Sequence, residues 1–196
     1  PAVRPSEVAM CQSPNSSEPA AATPRRTASV PTDAEGRPVL PVTLGVVTVH
    51  ALGRVVHDRP AFHNKRYIWP VGLHTTRTYL SCVDASAPSA TYHSRILDGG
   101  TTGPVFEVAL DAADVPAALG PGTQTVFSGA TPTGAWTLAM RQAAAIRGGE
   151  YKSSASGPEF FGLANPTVSM LIEGLPGAEH CAEYQRKAYT RPADDD

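Results

Sequence analysis

Histidine and cysteine are the residue types of this chain that most readily support metal binding or covalent catalysis, and it contains six histidines and three cysteines. No HExxH sequence occurs, and no two histidines lie three or four residues apart. The cysteines Cys11, Cys82 and Cys181 form no CxxC pair and no regular disulfide framework. These spacings predict that the chain has no metal site and no cofactor.

A cysteine hydrolase is the catalytic alternative that spacing alone does not address, because a nucleophile and its base meet in space. It would pair Cys82 or Cys181 with His93 or His180, yet neither cysteine has the sequence setting of an activated thiolate. Residues 98–103 (DGGTTG) resemble a phosphate loop, but they lack the Lys-Ser/Thr ending and join two predicted strands. We therefore predict a chain with no catalytic residue, and not an enzyme.

Lysines and arginines are the other residues with a clear chemical use, because they bind phosphates and carboxylates. A reader of nucleic acid or of histone tails would need the pairs Lys65-Arg66 and Arg186-Lys187 to converge with Arg77 on one face. The formal net charge of -2 and a pI near 6.3 show no overall basic excess, so composition does not support nucleic-acid binding. We name Lys65, Arg66 and Arg77 as candidate partner contacts, with Arg77 equally suited to satisfying a local carbonyl or carboxylate.

The chain shows none of the usual sequence signals for membrane insertion or secretion. Its apolar runs stay shorter than the roughly 20 residues that a membrane helix needs, and we expect no membrane contact. The first residues, PAVRPSEVAMCQS, lack the apolar centre of a signal peptide. Together with the sparse cysteines, this predicts a protein of a reducing, intracellular compartment.

Composition divides the chain into three parts. Residues 1–38 are rich in Pro, Ser, Ala and Thr without periodic apolar residues, and they are predicted to form a disordered arm. Within it, Arg25-Arg26-Thr27 followed by Ser29 matches a basophilic kinase site, a pattern that also arises often by chance. Residues 39–188 are predicted to form a single domain, and residues 189–196 a solvated acidic tail.

Strand patterns dominate the first half of the predicted domain. Residues 43–50 (TLGVVTVH) are β-branched and apolar, and residues 52–56 continue them after a bend at Gly53, which predicts a hairpin or a bulged strand. Alternation predicts that Tyr92, Ser94 and Ile96 share one face of another strand. The further predicted strands are residues 77–83, 90–97 and 104–110. Together they indicate an antiparallel meander of about six strands.

Helix signals come only in the second half. Thr131 or Thr133 is placed to cap a first helix, which Gly148-Gly149 ends. A second helix is bounded by Asn165 at its N-cap and Gly174 just past its last turn. Residues 176–184 are predicted as a third short helix and residues 111–128 as a surface loop. Strands followed by helices predict an α+β fold in which the C-terminal helices pack on one face of the sheet.

Two stretches of the predicted domain resemble the halves of the FY-rich module, FYRN and FYRC. The FYRN-like half, about residues 44–98, has an aromatic, a Pro-Val-Gly turn, an arginine and an aromatic strand in the order typical of that family. The FYRC-like half, about residues 103–185, has a Pro-x-Phe strand, a tryptophan-bearing helix, a Phe-Gly helix and a Leu-Pro-Gly turn. The matching positions are Phe62, Tyr67, Trp69, Pro70-Val71-Gly72, Arg77 and Tyr79 in the first half, and Pro104-Val105-Phe106, Trp136, Phe160-Phe161-Gly162, Leu175-Pro176-Gly177, Cys181 and Tyr184 in the second.

The resemblance implies that both halves fold together as one α+β module on an antiparallel sheet. FY-rich modules occur in trithorax-type histone methyltransferases and some histone demethylases, where they associate chains and do not catalyse. The resemblance therefore implies a non-catalytic protein-interaction module of a nuclear regulator, with chromatin-associated or transcription-regulatory proteins as partners. The alternative is the histone-tail or nucleic-acid reader that uses a basic surface patch. We expect the family's aromatic residues to form the core, since large aromatics dominate protein interiors.

Overall fold

The computed structural model describes residues 23–152 and 156–190, and these residues form an α+β fold. The remainder of the predicted arm, residues 1–22, and of the predicted tail, residues 191–196, lies outside this range. The strands and helices of the described residues, in chain order, are β1 (Arg25–Arg26), β2 (Val42–Leu44), β3 (Val47–Arg54), β4 (Val71–Tyr79), β5 (Ala90–Asp98), β6 (Pro104–Leu110), β7 (Val126–Gly129), α1 (Pro132–Ala145), α2 (Gly157–Phe160), α3 (Pro166–Glu173) and β8 (Tyr189–Thr190).

The central element is a six-stranded sheet in which β2 to β7 lie side by side in chain order. Every neighbouring pair is antiparallel, which confirms the predicted meander. Tyr92, Ser94 and Ile96 are fully buried on one face of β5, as the alternation predicted. The helices after β7 cover this face, so the predicted fold class and layering are confirmed.

The first hairpin turns earlier than the sequence predicted. Leu44 pairs with Val47, so the chain reverses at Gly45 and Val46, inside the stretch that was expected to be one strand. Gly45 has a φ of +67°, a left-handed conformation that tight hairpin turns use and that glycine adopts readily. A single apolar run therefore encodes two strands, because the turn between them depends on one glycine.

Two other strand predictions were misplaced. The bend predicted at Gly53 is wrong, since β3 continues through that residue and its irregularity lies between Val49 and Ala51. The strand predicted over residues 77–83 is wrong in its bounds, because β4 begins six residues earlier and ends at Tyr79. Beyond β4, the Ser81 hydroxyl accepts hydrogen bonds from the next backbone N–H groups and closes a turn.

Two segments of the C-terminal half also differ from prediction. Residues 111–128 contain a 3₁₀ turn at Ala112–Asp114 and end in β7, where only a loop was expected. The predicted third helix over residues 176–184 is a single 3₁₀ turn at Ala178–His180. Both differences arise because short elements at a sheet edge or against a core are held by distant neighbours and have weak local patterns.

The predicted helix starts are confirmed. The Thr131 hydroxyl accepts a hydrogen bond from the Gly134 N–H at 3.0 Å and so caps α1. The Asn165 side chain accepts from the Thr167 N–H at 2.9 Å and caps α3. None of the described helices is long and apolar enough to cross a bilayer.

One hydrophobic core lies between the sheet and the helices. Trp136 of α1 is fully buried, and its indole N–H donates to the Ser94 hydroxyl at 3.1 Å. Trp69 and Phe161 pack edge-on against Phe106, with ring centroids 5.2 and 5.6 Å away. Of the aromatic positions that carried the family resemblance, the buried ones are Phe62, Trp69, Phe106, Trp136 and Phe161, while Tyr67, Tyr79, Phe160 and Tyr184 are half-buried at the edge of the core.

Residues 23–38 differ from the predicted disordered arm, because part of this segment pairs with Tyr189–Thr190, two residues that were predicted to belong to the solvated tail. β1 lies parallel to β8, and the Thr27 N–H and hydroxyl both donate to the Thr190 carbonyl, at 3.0 and 3.2 Å. Thr27 is buried, whereas Ser29 of the same kinase-type motif is exposed. The partner of β1 is distant in sequence, so composition alone gave no sign of the pairing.

The other face of the sheet carries three histidines in a row across β3, β4 and β5. The rings of His50 and His74 stack 4.8 Å apart, and His74 Nε2 lies 2.8 Å from His93 Nδ1. His93 Nε2 in turn lies 2.7 Å from the Asp111 carboxylate. Among the described residues, no group of three or more His, Cys, Asp or Glu is arranged to hold a metal ion. Burial, followed by the nearby Arg95 cation, lowers the pKa of His74 to about 4.

This histidine row predicts that acid weakens the fold. Because His74 titrates near 4 when folded but near its ordinary value of 6.5 when unfolded, the unfolded chain binds more protons between these values. The free energy of unfolding should therefore be highest above about pH 6.5 and fall as the pH drops towards about 4. Urea unfolding across this window measures the slope, and His74→Gln should flatten it. His180→Gln, at an exposed histidine, is the control; equal slopes in both variants would contradict the prediction.

Candidate partner-binding site

A recess among the described residues has a volume of about 240 Å³ and is lined mainly by basic side chains. We call it the basic recess. Its cations are Arg25, Lys65, Arg66, Arg186 and Lys187, and Tyr67 forms part of its wall. Four of the five cations are exposed and Lys187 is half-buried. Within residues 23–152 and 156–190, no aspartate or glutamate lines the recess, so these residues present one sign of charge there.

A tight turn presents the first pair of cations. The Asn64 side chain accepts hydrogen bonds from the N–H groups of Arg66 at 2.8 Å and Tyr67 at 2.9 Å. The Asn64 N–H donates to the Tyr67 carbonyl at 2.9 Å and closes the same turn. The backbone that carries Lys65 and Arg66 is therefore held in place, while their charged ends remain in solvent.

Two further segments complete the basic recess. The Gln185 N–H donates to the Lys65 carbonyl at 3.2 Å, which joins the C-terminal segment to the turn. The Arg25 N–H donates to the Ala188 carbonyl at 2.8 Å, which brings β1 alongside. Three stretches that are distant in sequence therefore meet at this point, each contributing at least one cation.

Lys187 is the least exposed of the five cations of the basic recess. Its ammonium is 5.3 Å from the ring centroids of both Tyr67 and Tyr184 and donates a hydrogen bond to the Ser169 hydroxyl at 3.3 Å. Burial is the main cause that lowers the pKa of Lys187, and the Arg25 cation lowers it further. The Arg25 and Arg66 cations therefore disfavour the charge of Lys187, while the Glu173 carboxylate favours it.

Glu173 is the acidic group whose charge acts on Lys187, and the Lys187 backbone N–H donates to its carboxylate at 3.4 Å. The Glu173 carboxylate accepts hydrogen bonds from the hydroxyls of Tyr184 and Tyr189, each at 2.6 Å. Burial and the hydrogen bond to this carboxylate raise the pKa of both tyrosines. Within the described part of the chain, none of the five recess cations forms an ion pair. The arrangement is therefore suited to an anion supplied from outside these residues.

Arg77 does not line the basic recess. It lies on β4 with its guanidinium 3.8 Å from the ring centroid of Phe160 and 5.9 Å from that of Trp136. Its Nε and Nη1 atoms are buried and have no hydrogen-bond partner among the described residues. Burial lowers the pKa of Arg77, and the charge of Glu159 opposes this shift. The reader hypothesis required both basic pairs and Arg77 to lie on one face. The two pairs do meet at the recess, but Arg77 lies elsewhere.

The sequence named most of this site but not all of it. Lys65 and Arg66 were candidate contacts and come together with the Arg186-Lys187 pair, which was named only for the reader hypothesis. Arg25 was missed, because it lies in the segment predicted to be disordered. The signal available for Arg25 was weak, a basic pair in a Pro/Ser/Ala-rich stretch. The role of Lys65, Arg66 and Arg77 in binding a partner stays a prediction.

Comparison with known proteins adds two family matches and several relatives. The family described as F/Y-rich N-terminus matches residues 39–99, and the family described as F/Y rich C-terminus matches residues 103–190. Transforming growth factor beta regulator 1 of Mus musculus is 35% identical over 156 residues, which cover 78% of this chain and 35% of that protein. Its Homo sapiens counterpart is 33% identical over 155 residues, with the same coverage.

A second group of relatives consists of much longer proteins. Histone-lysine N-methyltransferase TRX1 of Oryza sativa subsp. japonica is 31% identical over 156 residues, which cover 76% of this chain and 14% of that protein. The chain thus spans about a third of the length of the growth factor regulators and a smaller share of the methyltransferase. The basic recess lies where the two matched regions meet, since the turn of Lys65 is in the first and Lys187 is in the second.

Proposed function

This chain belongs to the FY-rich family, and from that premise we propose that it is a non-catalytic protein-interaction module of a nuclear, chromatin-associated regulatory protein. The names of its relatives support this setting, because they include regulators and histone-lysine methyltransferases. The methyltransferases are matched over a small part of their length, so their catalytic activity gives no reason to assign catalysis to this region.

We place the partner contact at the basic recess. The observation that carries this proposal is the convergence of five cations from three segments, with no carboxylate of the described residues lining the recess. Cations held close together repel one another, and an anionic ligand relieves that repulsion while gaining several charge-assisted hydrogen bonds. The partner is therefore a protein that carries an acidic segment.

The charge of the recess argues against one part of the alternative. Histone tails are rich in lysine and arginine, and a surface of five cations repels an unmodified basic peptide. Nucleic acid is the second candidate, because the clustering of Lys65-Arg66 with Arg186-Lys187 is what a nucleic-acid reader needs. An acidic protein and nucleic acid can be distinguished with nuclease, because nuclease treatment should remove only the binding that depends on nucleic acid.

We expect charge reversal in the basic recess to weaken partner binding. Lys65→Glu combined with Arg66→Glu replaces two exposed cations with anions, which should weaken the binding of an Asp/Glu-rich fluorescent peptide by roughly tenfold or more. Arg141→Glu combined with Lys152→Glu makes the same change of net charge at exposed positions outside the recess. Fluorescence polarisation at several salt concentrations measures both variants.

The same three proteins should then be used to capture partners from nuclease-treated nuclear extract. Partners that bind the wild type and the Arg141/Lys152 variant, but not the recess variant, support the proposed function and site. If all three proteins recovered the same partners equally, the partner contact would have to lie outside the recess. Binding of a DNA duplex by the wild type, with loss of all protein partners after nuclease treatment, would favour the nucleic-acid reader.

A further inference from the structure

The basic recess also carries information about the chemistry of its ligand. We propose that it binds a phosphate monoester, supplied as phosphoserine or phosphothreonine within the acidic segment of a partner protein. This inference rests on the proposed function, because it assumes that a protein partner occupies the recess. It goes further by naming the group that the cations recognise and by making the interaction depend on phosphorylation.

The number of cations is the first argument for phosphate. A carboxylate carries a single negative charge, which leaves most of the charge of five converging cations uncompensated. A phosphate monoester carries about -1.5 to -2 near neutral pH and offers three strong acceptor oxygens. Its charge and acceptor count therefore match this site better than those of one aspartate or glutamate side chain.

The kinds of cation and their support are the second argument. Three of the five are arginines, whose planar guanidinium forms paired hydrogen bonds with phosphate oxygens. The Asn64 turn holds the backbone of Arg66, and the β1–β8 pairing holds that of Arg25. Two arginines are thus presented from fixed backbone on different segments, which lowers the ordering cost of binding a compact anion.

Lys187 is the third argument. Its ammonium lies 5.3 Å from the ring centroids of Tyr67 and Tyr184, and its charge is disfavoured by burial and by the cations of Arg25 and Arg66. Glu173 is the opposing anion, and its carboxylate is already bonded to two tyrosine hydroxyls. A dianion beside Lys187 would restore the balance of charge that the described residues leave incomplete.

The shape of the recess favours a phosphorylated peptide over a nucleic-acid backbone. Proteins that bind duplex DNA contact phosphates spaced along its backbone, in some cases roughly 6–10 of them. Here the five cations surround one recess of about 240 Å³, below the roughly 300–1,000 Å³ of typical small-molecule sites. Such a recess accepts one phosphorylated side chain as an anchor, and Arg77, which would extend the cationic surface, points elsewhere.

A degenerate peptide library with a fixed central phosphoserine tests the inference, alongside the same library carrying serine or glutamate at that position. We expect the phosphorylated pool to bind about tenfold more tightly than either other pool, as measured by fluorescence polarisation. Arg66→Ala should remove most of this phosphate-dependent gain, while Arg141→Ala, at an exposed position on α1, should retain it. Circular dichroism at the same temperature verifies that both variants are folded.

The outcomes separate this inference from the proposed function. Equal binding of the three pools that is still lost in Arg66→Ala would overturn the phosphate inference and leave an acidic protein partner in place. Equal binding that is unaffected by Arg66→Ala would overturn both. Inorganic phosphate at the same concentration should compete only weakly, because it lacks the peptide contacts; complete displacement would assign the recess to free phosphate. Preference for a DNA duplex over every pool would assign it to nucleic acid.

Discussion

Replacing Trp136 with alanine is expected to destabilise the protein by about 3–5 kcal/mol, the range observed when a fully buried large aromatic is truncated. The ring centroids of Phe160 and Tyr92 lie 4.9 and 5.3 Å from the centroid of the Trp136 indole. The indole N–H donates a hydrogen bond to the buried Ser94 hydroxyl. Its removal opens a cavity between α1 and the sheet and leaves Ser94 without its donor. Urea denaturation measures the loss as a lower midpoint.

The matched control for this substitution lies on the same helix. Leu138→Ala changes a side chain that is 42% exposed, so it should alter the free energy of unfolding by no more than about 0.5 kcal/mol. Trp136→Phe keeps an aromatic ring but removes the hydrogen bond to Ser94, and it should fall between the two. A Trp136→Ala variant as stable as Leu138→Ala would show that α1 is not packed on the sheet through this indole.

Replacing Gly53 with alanine is expected to cost about 3 kcal/mol, the sum of a strained backbone and a steric clash. Gly53 has a φ of +74°, and a Cβ atom there would lie 2.5 Å from both the Val71 carbonyl oxygen and the Leu73 nitrogen. These are backbone atoms of β4, so β3 and β4 would have to separate. The same denaturation measurement reports the loss.

Gly45 provides the control that separates the two contributions. It has a φ of +67°, close to that of Gly53, but nothing lies within 4 Å of a Cβ atom built there. Gly45→Ala should therefore show only the backbone cost, about 1 kcal/mol. If Gly45→Ala and Gly53→Ala lost the same stability, the close approach of β3 to β4 at Gly53 would be contradicted. Both variants should retain peptide binding, since neither residue lines the basic recess.

Local patterns were sufficient for elements whose stabilising contacts are local. The caps at Thr131 and Asn165 bond to N–H groups of their own first turns, so the sequence located both helix starts. The alternation along β5 depends only on one face being buried, and it placed Tyr92 and Ser94 correctly. The family resemblance used the same kind of information, aromatic and glycine residues at characteristic spacing.

Elements held by distant partners were not visible in the sequence. β7 is short and pairs with β6 across a connection of Ala, Gly and Pro residues, so its local pattern resembled a loop. β1 contains two residues and is held by hydrogen bonds to the opposite end of the chain. The hairpin at Gly45 was missed for a different reason. Its two strands and the turn between them form one apolar stretch of sequence, which reads as a single strand.

The sequence by itself determined the fold class and the family, and it contained the two basic pairs that line the basic recess. Only the tertiary structure decided which of them meet: Lys65 and Arg66 lie beside Lys187 because the Gln185 amide is bonded to the Lys65 carbonyl. It also brought in Arg25, through strand pairing, and left out Arg77, whose guanidinium stacks on Phe160. The physical reason is that a charged residue has no preferred neighbour in its own sequence pattern, so its position is set by the long-range contacts of the backbone that carries it.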